Sequence, residues 1–305
     1  MLRRFDDRIC ILDTLALGRP GVVAGYLVRG KENALVDMGY ASSAGTVLTD
    51  VRDSEIGVEG IDYLLPTHVH LDHSGACGAL AENFVGASIR VHPKGERHLV
   101  DPSKLWEAAG ELFGAKLIKL YGRPEPINAG RVRAIGDGEE ISLGSGLTLR
   151  SIWTPGHASH HLSYELEGTG TVFTGDAVGI TYPAFPVLIP TTPPTSFNLD
   201  AAISSLQRIK KVSPKRLLTP HYGVIHDAVG SIDANIRILQ DWTTKIDKML
   251  RSALSTNSII ATLTEAIARE RGRSESLPDY VAMSIRVSVL GVVRYLESPD
   301  RKAAM

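Results

Sequence analysis

Four potential metal ligands lie within six positions of one segment, directly after an apolar strand. These ligands, His68, His70, Asp72 and His73, follow the run Leu64-Leu65-Pro66-Thr67. Successive side chains of a strand point to opposite faces, so His68 and His70 should project to the same side, and a turn can bring Asp72 and His73 to a neighbouring point. Imidazole nitrogen and carboxylate oxygen bind zinc at about 2.0 to 2.2 Å. The segment therefore predicts two adjacent metal positions that share one loop.

Three later segments each end a predicted strand with a histidine or an aspartate. They are Trp153-Thr154-Pro155-Gly156-His157, Phe173-Thr174-Gly175-Asp176 and Leu218-Thr219-Pro220-His221. In type and order these residues, together with the His68 segment, resemble the ligand pattern of the metallo-β-lactamase-fold superfamily of metallo-hydrolases. The resemblance covers approximately residues 9–223. It implies the α/β fold of that family, a four-layer αββα sandwich.

The resemblance also implies a binuclear centre. It assigns the first metal position to His68, His70 and His157, and the second to Asp72, His73 and His221, with Asp176 bridging the two. Asp37, after the predicted strand 34–36, looks like an early aspartate of the family that orients a ligand from outside, although a turn-forming aspartate fits equally well. We expect two divalent ions, with zinc preferred. Iron and manganese stay open, because the ligand types do not separate these metals.

Interleaved apolar runs and helical stretches support an α/β sandwich. Predicted strands are 9–12, 22–28, 34–36, 61–66, 88–91, 147–153, 162–165, 171–173 and 216–218, and predicted helices are 43–51, 75–83, 104–119 and 201–212. Helices are also predicted at 229–253, 258–271 and 280–297. The expected domains are a catalytic domain over residues 1–227 and a helical appendage over 228–305. The long spacing between His73 and His157 predicts an insertion at 94–128 near the site.

The composition bounds the function class. The 33 Lys and Arg against 34 Asp and Glu leave a net charge of −1, so no positive field gathers nucleic acid. The prolines between Ala177 and Leu199 argue against a membrane span there, and the two cysteines build no disulfide framework. The amino terminus lacks an apolar signal core. We expect a cytoplasmic protein with a small-molecule substrate and with neither a nucleic-acid partner nor a membrane partner.

The implied centre predicts hydrolysis. Two divalent cations about 3.5 to 4 Å apart can share a water, lower its pKa and direct the resulting hydroxide at an electrophile. Asp72 or Asp176 can assist the leaving oxygen. The uncharged run 178–190 predicts either an apolar pocket wall or a proline-stiffened loop. By similarity in segments such as 92–95, 101–106 and 156–161, the chain resembles a branch of metallo-hydrolases, which implies lactones and carboxylic esters as substrates, with promiscuity towards phosphoesters. Tyr182 and Tyr222 compete for a role in stabilising the oxyanion.

Three alternatives stay open from the sequence. A glyoxalase II-like thioesterase and a mononuclear iron persulfide dioxygenase share nearly all the ligands, although no Lys and Arg cluster for glutathione is evident in the tail. The third alternative is a non-enzymatic, metal-stabilised interaction module in which the helical tail carries the function. Because its last helix is apolar around much of its circumference, we expect that helix to pack on the core or to cover a homodimer seam.

The remaining histidines and Cys77 have plainer interpretations. His160 and His161 are expected either to donate to the site from outside or to lie in a solvated turn. We expect structural or exposed positions for His92, His98 and His226. Cys77, on the helix after the ligand loop, is interpreted as a small buried residue.

Overall fold

A computed structural model of the chain describes residues 2–270 and 277–298. The strands of these residues are β1 (Leu2–Arg4), β2 (Ile9–Asp13), β3 (Ala24–Val28), β4 (Ala34–Val36), β5 (Tyr63–Leu65), β6 (Ser88–Val91), β7 (Val132–Ala134), β8 (Glu140–Ser142), β9 (Thr148–Trp153), β10 (Leu162–Leu166), β11 (Thr171–Phe173), β12 (Ile180–Tyr182), β13 (Phe185–Ile189), β14 (Arg216–Thr219) and β15 (Gly223–Ile225). The helices are α1 (Ala44–Arg52), α2 (Leu71–Ser74), α3 (Cys77–Asn83), α4 (Glu96–Val100), α5 (Ser103–Phe113), α6 (Ala115–Tyr121), α7 (Leu199–Lys211), α8 (Ala228–Arg251), α9 (Thr256–Glu270) and α10 (Asp279–Glu297).

The strands form two sheets and a separate hairpin. The first sheet has the order β1-β2-β3-β4-β5-β6-β7, antiparallel up to β4 and parallel from β4 onward. The second has the order β15-β14-β11-β10-β9-β8, in which β11 and β14 are parallel and the other pairs antiparallel. Strands β12 and β13 pair only with each other among the described residues.

Three apolar layers hold the sandwich together. Side chains such as Ile11 and Tyr26 of the first sheet meet Leu149 and Tyr164 of the second in a buried cluster between the sheets. A second cluster joins the outer face of the first sheet to α1 and α3, and a third joins the second sheet to α7 and the carboxyl-terminal helices. Helices therefore cover both outer faces, which confirms the predicted αββα arrangement.

The predicted elements and the observed ones differ in a few places. The helix expected over 104–119 is two helices, α5 and α6, because Gly114 between them adopts a φ of +81° that ends the first. The run 178–190 contains the β12–β13 hairpin, in which Pro186 is exposed, as proline in an edge strand usually is. Other strands missing from the prediction, β1, β7, β8 and β15, have three residues each, too few to show a period.

The carboxyl-terminal helices pack on the core of their own chain. Ile232 of α8 and Ile285 of α10 share one buried cluster with Phe185 of the hairpin and Leu206 of α7. The apolar last helix is thus covered within the chain, one of the two arrangements expected for it. The helix predicted to end at Arg271 is described up to Glu270, and residues 299–305 of the expected appendage lie outside the described residues. Within the described ranges, no helix combines the length and apolar character that a membrane span requires.

Candidate metal centre

Sheet topology places all the predicted ligands at one edge of the sandwich. The ligand loop 68–73 follows β5, which runs parallel to β4, and Asp37 directly follows β4. In the second sheet His157, Asp176 and His221 follow β9, β11 and β14, which all run in one direction. The carboxyl ends of these strands meet at a common edge, so residues far apart in sequence converge there.

Two buried tyrosines tie the ligand-bearing strand ends of the two sheets together. Tyr26 of the first sheet donates its hydroxyl to the carbonyl of Thr219, two residues before His221, at 2.6 Å. Tyr164 of the second sheet donates to the carbonyl of Pro66, two residues before His68, at 3.4 Å. Sequence reasoning missed both contacts, because a tyrosine in a buried strand is indistinguishable from an ordinary core residue.

The residues assigned to the first metal position lie together. Nε2 of His68 and Nε2 of His157 each lie 2.9 Å from Nδ1 of His70. The ligand atoms of these three residues all lie within 4.8 Å of one another. His68 is fully buried, His157 nearly so, and His70 is half-buried.

The residues assigned to the second position form an adjacent group. Nε2 of His221 lies 3.4 Å from Oδ2 of Asp72, and Nε2 of His73 lies 3.7 Å from Oδ1 of the same carboxylate. Asp176 lies between the two groups. Its Oδ2 is 3.5 Å from Nε2 of His157, while its Oδ1 is 3.4 Å from His73 and 3.5 Å from His221. The two oxygens of Asp176 therefore face one group each.

The arrangement fits metal ions on chemical grounds. Two ligands at about 2.1 Å from a tetrahedral ion lie about 3.4 Å apart, close to the separations around Asp176. His73 Nε2 and Asp176 Oδ1 are buried without a hydrogen-bond partner in the described structure. Buried polar atoms without partners are costly, and a shared cation satisfies them.

Hydrogen bonds from outside the centre orient four of the imidazoles. His73 donates through Nδ1 to Asp37 at 3.1 Å, and His221 donates through Nδ1 to the carbonyl of Val22 at 3.3 Å. His157 Nδ1 donates to the carbonyl of Thr191 at 3.1 Å. Thr67 donates its hydroxyl to Asp37, so His68 donates through Nδ1 to that hydroxyl at 3.0 Å. In each ring Nε2 therefore faces the centre, the nitrogen that must be free of a proton when it binds a metal.

Electrostatics separates the two groups. Burial, reinforced by the neighbouring histidines, lowers the pKa of His68 and His70 well below the ordinary value, so both are neutral. Burial also acts to lower the pKa of His73 and His221. The nearby carboxylates of Asp176 and Asp72 have the larger effect, so the pKa of each histidine is raised above its ordinary value. For Asp176 burial raises the pKa, and the surrounding histidines outweigh that effect and hold it low. The carboxylates stay ionised, and the second group holds protons that a cation must displace.

His161 is a positioning residue. The sequence allowed two interpretations of it, a hydrogen-bond donor to the site and a residue of a solvated turn. It is fully buried, and its Nε2 accepts the backbone N–H of Asp176 at 3.0 Å. Its Nδ1 then donates to the Thr154 hydroxyl at 2.8 Å, which is paired with Ser163. His161 thus acts as an acceptor that holds the backbone of Asp176 from behind. Its position four residues after His157 was the only available signal.

The two tyrosines proposed for catalysis lie in different surroundings. The Tyr182 ring lies 6.2 Å from that of His221, and its hydroxyl is 3.0 Å from Ser284 of α10. Tyr222 donates its hydroxyl to Asp13 at 3.4 Å, and it packs with the cluster between the sheets. The structure therefore brings Tyr182 to the ligand group and directs the Tyr222 hydroxyl towards Asp13. Their catalytic roles stay predictions.

The remaining singled-out residues surround the centre or lie away from it. The His160 ring lies 5.8 Å from that of His70 and 6.4 Å from that of His98, whereas His226 is exposed. His92 stacks on Trp153 at 5.6 Å. Cys77 is fully buried, and burial raises the pKa of its thiol to about 12.

The predicted insertion 94–128 packs beside the ligand loop. Tyr121 of α6 is buried against Leu71, the neighbour of Asp72, and it stacks on Tyr40 with ring centroids 4.3 Å apart. Burial raises the pKa of both tyrosines and the Asp72 carboxylate raises it further, so their hydroxyls stay protonated. The side of the centre next to Asp72 is thus lined by aromatic rings of this insertion and of the loop after β4.

The sandwich and its histidine and aspartate cluster define a metal-binding protein of the αββα class. The chain belongs to the metallo-beta-lactamase superfamily, whose family model matches residues 18–221. The metallo-beta-lactamase fold-containing protein ST1585 of Sulfurisphaera tokodaii is 29% identical over 210 residues, 68% of this chain and 75% of that protein. The crystal structure of ST1585 has a TM-score of 0.68 at 22% identity, covering 94% of this chain and 98% of that one.

Two further comparisons extend this result. The structure of TTHA1429, a metallo-beta-lactamase family protein from Thermus thermophilus, has a TM-score of 0.66 at 23% identity and covers 92% of this chain and 89% of that one. Atrochrysone carboxyl ACP thioesterase of Aspergillus fumigatus is 31% identical over 149 residues, 49% of this chain. The match spans 37% of that thioesterase. The structural likenesses establish the fold, and the family model establishes the superfamily.

Proposed function

We propose that this protein is a binuclear metal-dependent hydrolase that cleaves lactones and carboxylic esters of apolar compounds, with side activity on phosphoesters. The observation that carries the proposal is the pair of ligand groups on either side of Asp176, whose two oxygens face one group each. Divalent ions supply Lewis acidity at such a centre and make water a nucleophile near neutral pH. Zinc suits the histidine-rich donor set best.

Asp72 is the carboxylate suited to handle a proton during the reaction. Its side chain is 24% exposed, against 6% for Asp176, so it can meet a substrate while Asp176 stays enclosed. Burial raises the pKa of Asp72, but His73 and His221 outweigh burial and hold it below the ordinary value. Asp72 therefore starts as an acceptor, and it can pass a proton to the leaving oxygen.

The surroundings of Asp72 support an apolar, uncharged substrate. Tyr40, Tyr121 and Tyr182 all lie within electrostatic reach of its carboxylate. Leu71 and Ile118 complete this side. Aromatic and aliphatic surfaces favour neutral groups, and the negative charge of Asp72 disfavours an anionic group there.

The experiment is a hydrolysis panel with the zinc- or manganese-loaded protein. It compares chromogenic esters, lactones and phosphoesters before and after a chelator. The matched variants are His157→Ala, which removes a ligand, and His226→Ala, which removes an exposed histidine away from the centre. We expect His157→Ala to lower kcat by at least about 100-fold and His226→Ala to leave it unchanged. If the loaded protein turns over no member of the panel, the proposal is wrong.

A second candidate is a thioesterase, favoured by the named activity of the Aspergillus fumigatus relative. The same centre can attack a thioester carbonyl, so the two candidates differ in leaving group only. The discriminating measurement is kcat/KM for an oxygen ester and a thioester of one acyl group. A preference of more than about tenfold for the thioester, about 1.4 kcal/mol, favours the second candidate. Iron in the natively expressed protein together with oxygen uptake on a persulfide would instead support a dioxygenase.

A further inference from the structure

A short segment after the β12–β13 hairpin, residues 190–192, contacts both the bridging aspartate and the first metal position. The carbonyl of Thr191 accepts the hydrogen bond of His157 Nδ1 at 3.1 Å. The hydroxyl of Thr191 donates to the carbonyl of Asp176. One residue of this segment therefore fixes the orientation of a ligand imidazole and the backbone of the carboxylate that serves both positions.

The opposite side of the segment is held by the last helix. Ser288 of α10 donates its hydroxyl to the carbonyl of Pro190, and Thr192 donates its hydroxyl to the carbonyl of Ser288 at 2.7 Å. Thr192 is fully buried, and Ser288 is 3% exposed. These reciprocal bonds are shielded from water, so they hold the segment in one place relative to α10.

Gly291, one turn further along α10, permits this close approach. A Cβ at this position would lie 1.7 Å from the carbonyl oxygen of Thr192. Glycine inside a helix is less favourable than alanine. At Gly291 the lack of a side chain is what allows the helix to touch the segment.

Helix α8 makes a weaker contact of the same kind. Asn235, which is 1% exposed, donates its side-chain amide to the carbonyl of Ala177 at 3.2 Å. Ala177 directly follows Asp176 in the chain. Two helices of the carboxyl-terminal region thus contact the backbone beside the ligands of the first position.

The second metal position is oriented from elsewhere. His73 donates to Asp37, and His221 donates to the carbonyl of Val22. Both acceptors belong to the first sheet or its connections. Of the orienting hydrogen bonds, the one to His157 alone comes from residues 190–192, whereas those to His68, His73 and His221 come from the first sheet and its connections. A change in α10 should therefore affect the two positions unequally.

We propose that Ser288 and Gly291 of α10 are positioning residues for the first metal position, acting through residues 190–192 on His157 and on Asp176. The carboxyl-terminal helices are then part of the metal centre's support rather than an independent appendage. The inference rests on the metal centre assigned above, and it does not depend on which bond the protein hydrolyses.

The test is cation binding by the full-length protein, measured by calorimetric titration with zinc and by the absorption spectrum of bound cobalt. Ser288→Ala is compared with Ser284→Ala, which removes the same hydroxyl one turn earlier on α10, where it contacts Tyr182 instead. We expect Ser288→Ala to weaken the binding of one of the two cations by about tenfold, to change the cobalt spectrum and to affect the other cation much less. Ser284→Ala should leave both affinities unchanged.

Combining Ser288→Ala with a second substitution in either metal position identifies which position Ser288 supports. In the Asp72→Ala background, in which the second position is disabled, Ser288→Ala should lower the affinity for the remaining cation. In His70→Ala, which disables the first, Ser288→Ala should have a much smaller effect. Equal weakening in both backgrounds, no weakening in either, or the same loss in Ser284→Ala overturns the proposal.

A conservative variant and a stability control separate positioning from folding. Ser288→Thr keeps a hydroxyl and should recover most of the affinity that Ser288→Ala loses. Ile285→Ala, at a buried apolar position of the same helix, should lower the melting temperature of the metal-free protein without changing cation affinity. If Ile285→Ala lowers the cation affinity as much as Ser288→Ala does, general destabilisation explains the effect and the positioning role is rejected. Because no readout uses catalysis, this outcome is independent of the hydrolysis panel.

Discussion

Oδ2 of Asp37 lies 3.1 Å from Nδ1 of His73, and both residues are almost completely buried. The other carboxylate oxygen accepts the backbone N–H of Thr67 at 2.8 Å. Asp37 therefore holds the start of the ligand loop and the tautomer of one of its histidines at the same time. From the sequence, Asp37 could either orient a ligand or form a turn. In the structure it does both, because its backbone adopts a left-handed φ of +52° and its side chain contacts His73.

Asp37→Asn should weaken the second metal position without unfolding the loop. Asparagine tolerates the left-handed backbone, and its oxygen can still accept from Thr67. Its amide then faces His73 as a donor, so Nδ1 of His73 must accept and Nε2 carries the proton towards the metal position. We expect zinc affinity at that position to fall by about 10- to 100-fold, measured by competition with a chromogenic chelator. Unchanged affinity would show that the tautomer of His73 is set by another group.

Zinc binding should release protons, and its affinity should rise with pH. Asp176 and Asp72 raise the pKa of His73 and His221 against the effect of burial, which favours the protonated forms of both side chains in the metal-free protein. A cation must displace those protons, so the affinity increases up to about tenfold per pH unit for each displaced proton and levels off above the raised pKa values. Calorimetry at pH 7 in two buffers of different ionisation enthalpy measures the release. The absence of net proton release would contradict the assignment.

Gly156→Ala should destabilise the fold and weaken the first metal position. Gly156 has a φ of +129°, and a Cβ there would lie 2.3 Å from the Cα of Ala202 in α7. We expect a loss of about 2 to 3 kcal/mol in the free energy of unfolding, measured with urea, together with weaker zinc binding through the displaced His157. The control is Gly146→Ala, which also has a positive φ but no atom within 4 Å of the added Cβ. It should cost only the backbone strain, about 1 kcal/mol, and leave zinc binding intact.

Tyr182→Phe should reduce turnover more than Tyr222→Phe. The Tyr182 ring lies beside His221, and its hydroxyl is within electrostatic reach of Asp72 and Asp176, whereas the Tyr222 hydroxyl bonds to Asp13. We expect kcat on the best ester to fall by about tenfold for Tyr182→Phe and to stay within about twofold for Tyr222→Phe, with zinc content unchanged in both. The reverse order would assign the oxyanion role to Tyr222.

Several ligands of the centre could be predicted from the sequence, because they lie close together in one short segment. His68, His70, Asp72 and His73 form a dense cluster of metal-binding side chains after an apolar run, a pattern that rarely arises outside a metal site. The longer helices and most of the longer strands were recognisable from their periods, and the short strands β4, β5 and β11 from their apolar runs. Helix α4, the short strands β1, β7, β8 and β15, the β12–β13 hairpin and the break at Gly114 were not, because such features carry no clear period and a single glycine is tolerated in many helices.

Other parts depend on contacts between residues of ordinary type that lie far apart. Thr192 and Ser288 are separated by 96 positions, and nothing in either residue indicates that they meet behind a metal ligand. In the sequence, Tyr26 and Tyr164 cannot be distinguished from core residues. Their hydrogen bonds to the ligand-bearing segments become apparent only when the two sheets pack face to face. His161 could not be distinguished from a turn residue, because its acceptor role depends on the backbone of Asp176, which follows a different strand.

By itself the sequence determined the chemistry available to this protein, because the types of the ligands and their positions after apolar strands are properties of the chain alone. Only the tertiary structure decided how the ligand side chains group in space, which oxygen of Asp176 faces each group, and which distant elements hold them. Those features depend on the register of two sheets and the docking of α10, where one missing Cβ or one hydroxyl decides how closely two segments can approach.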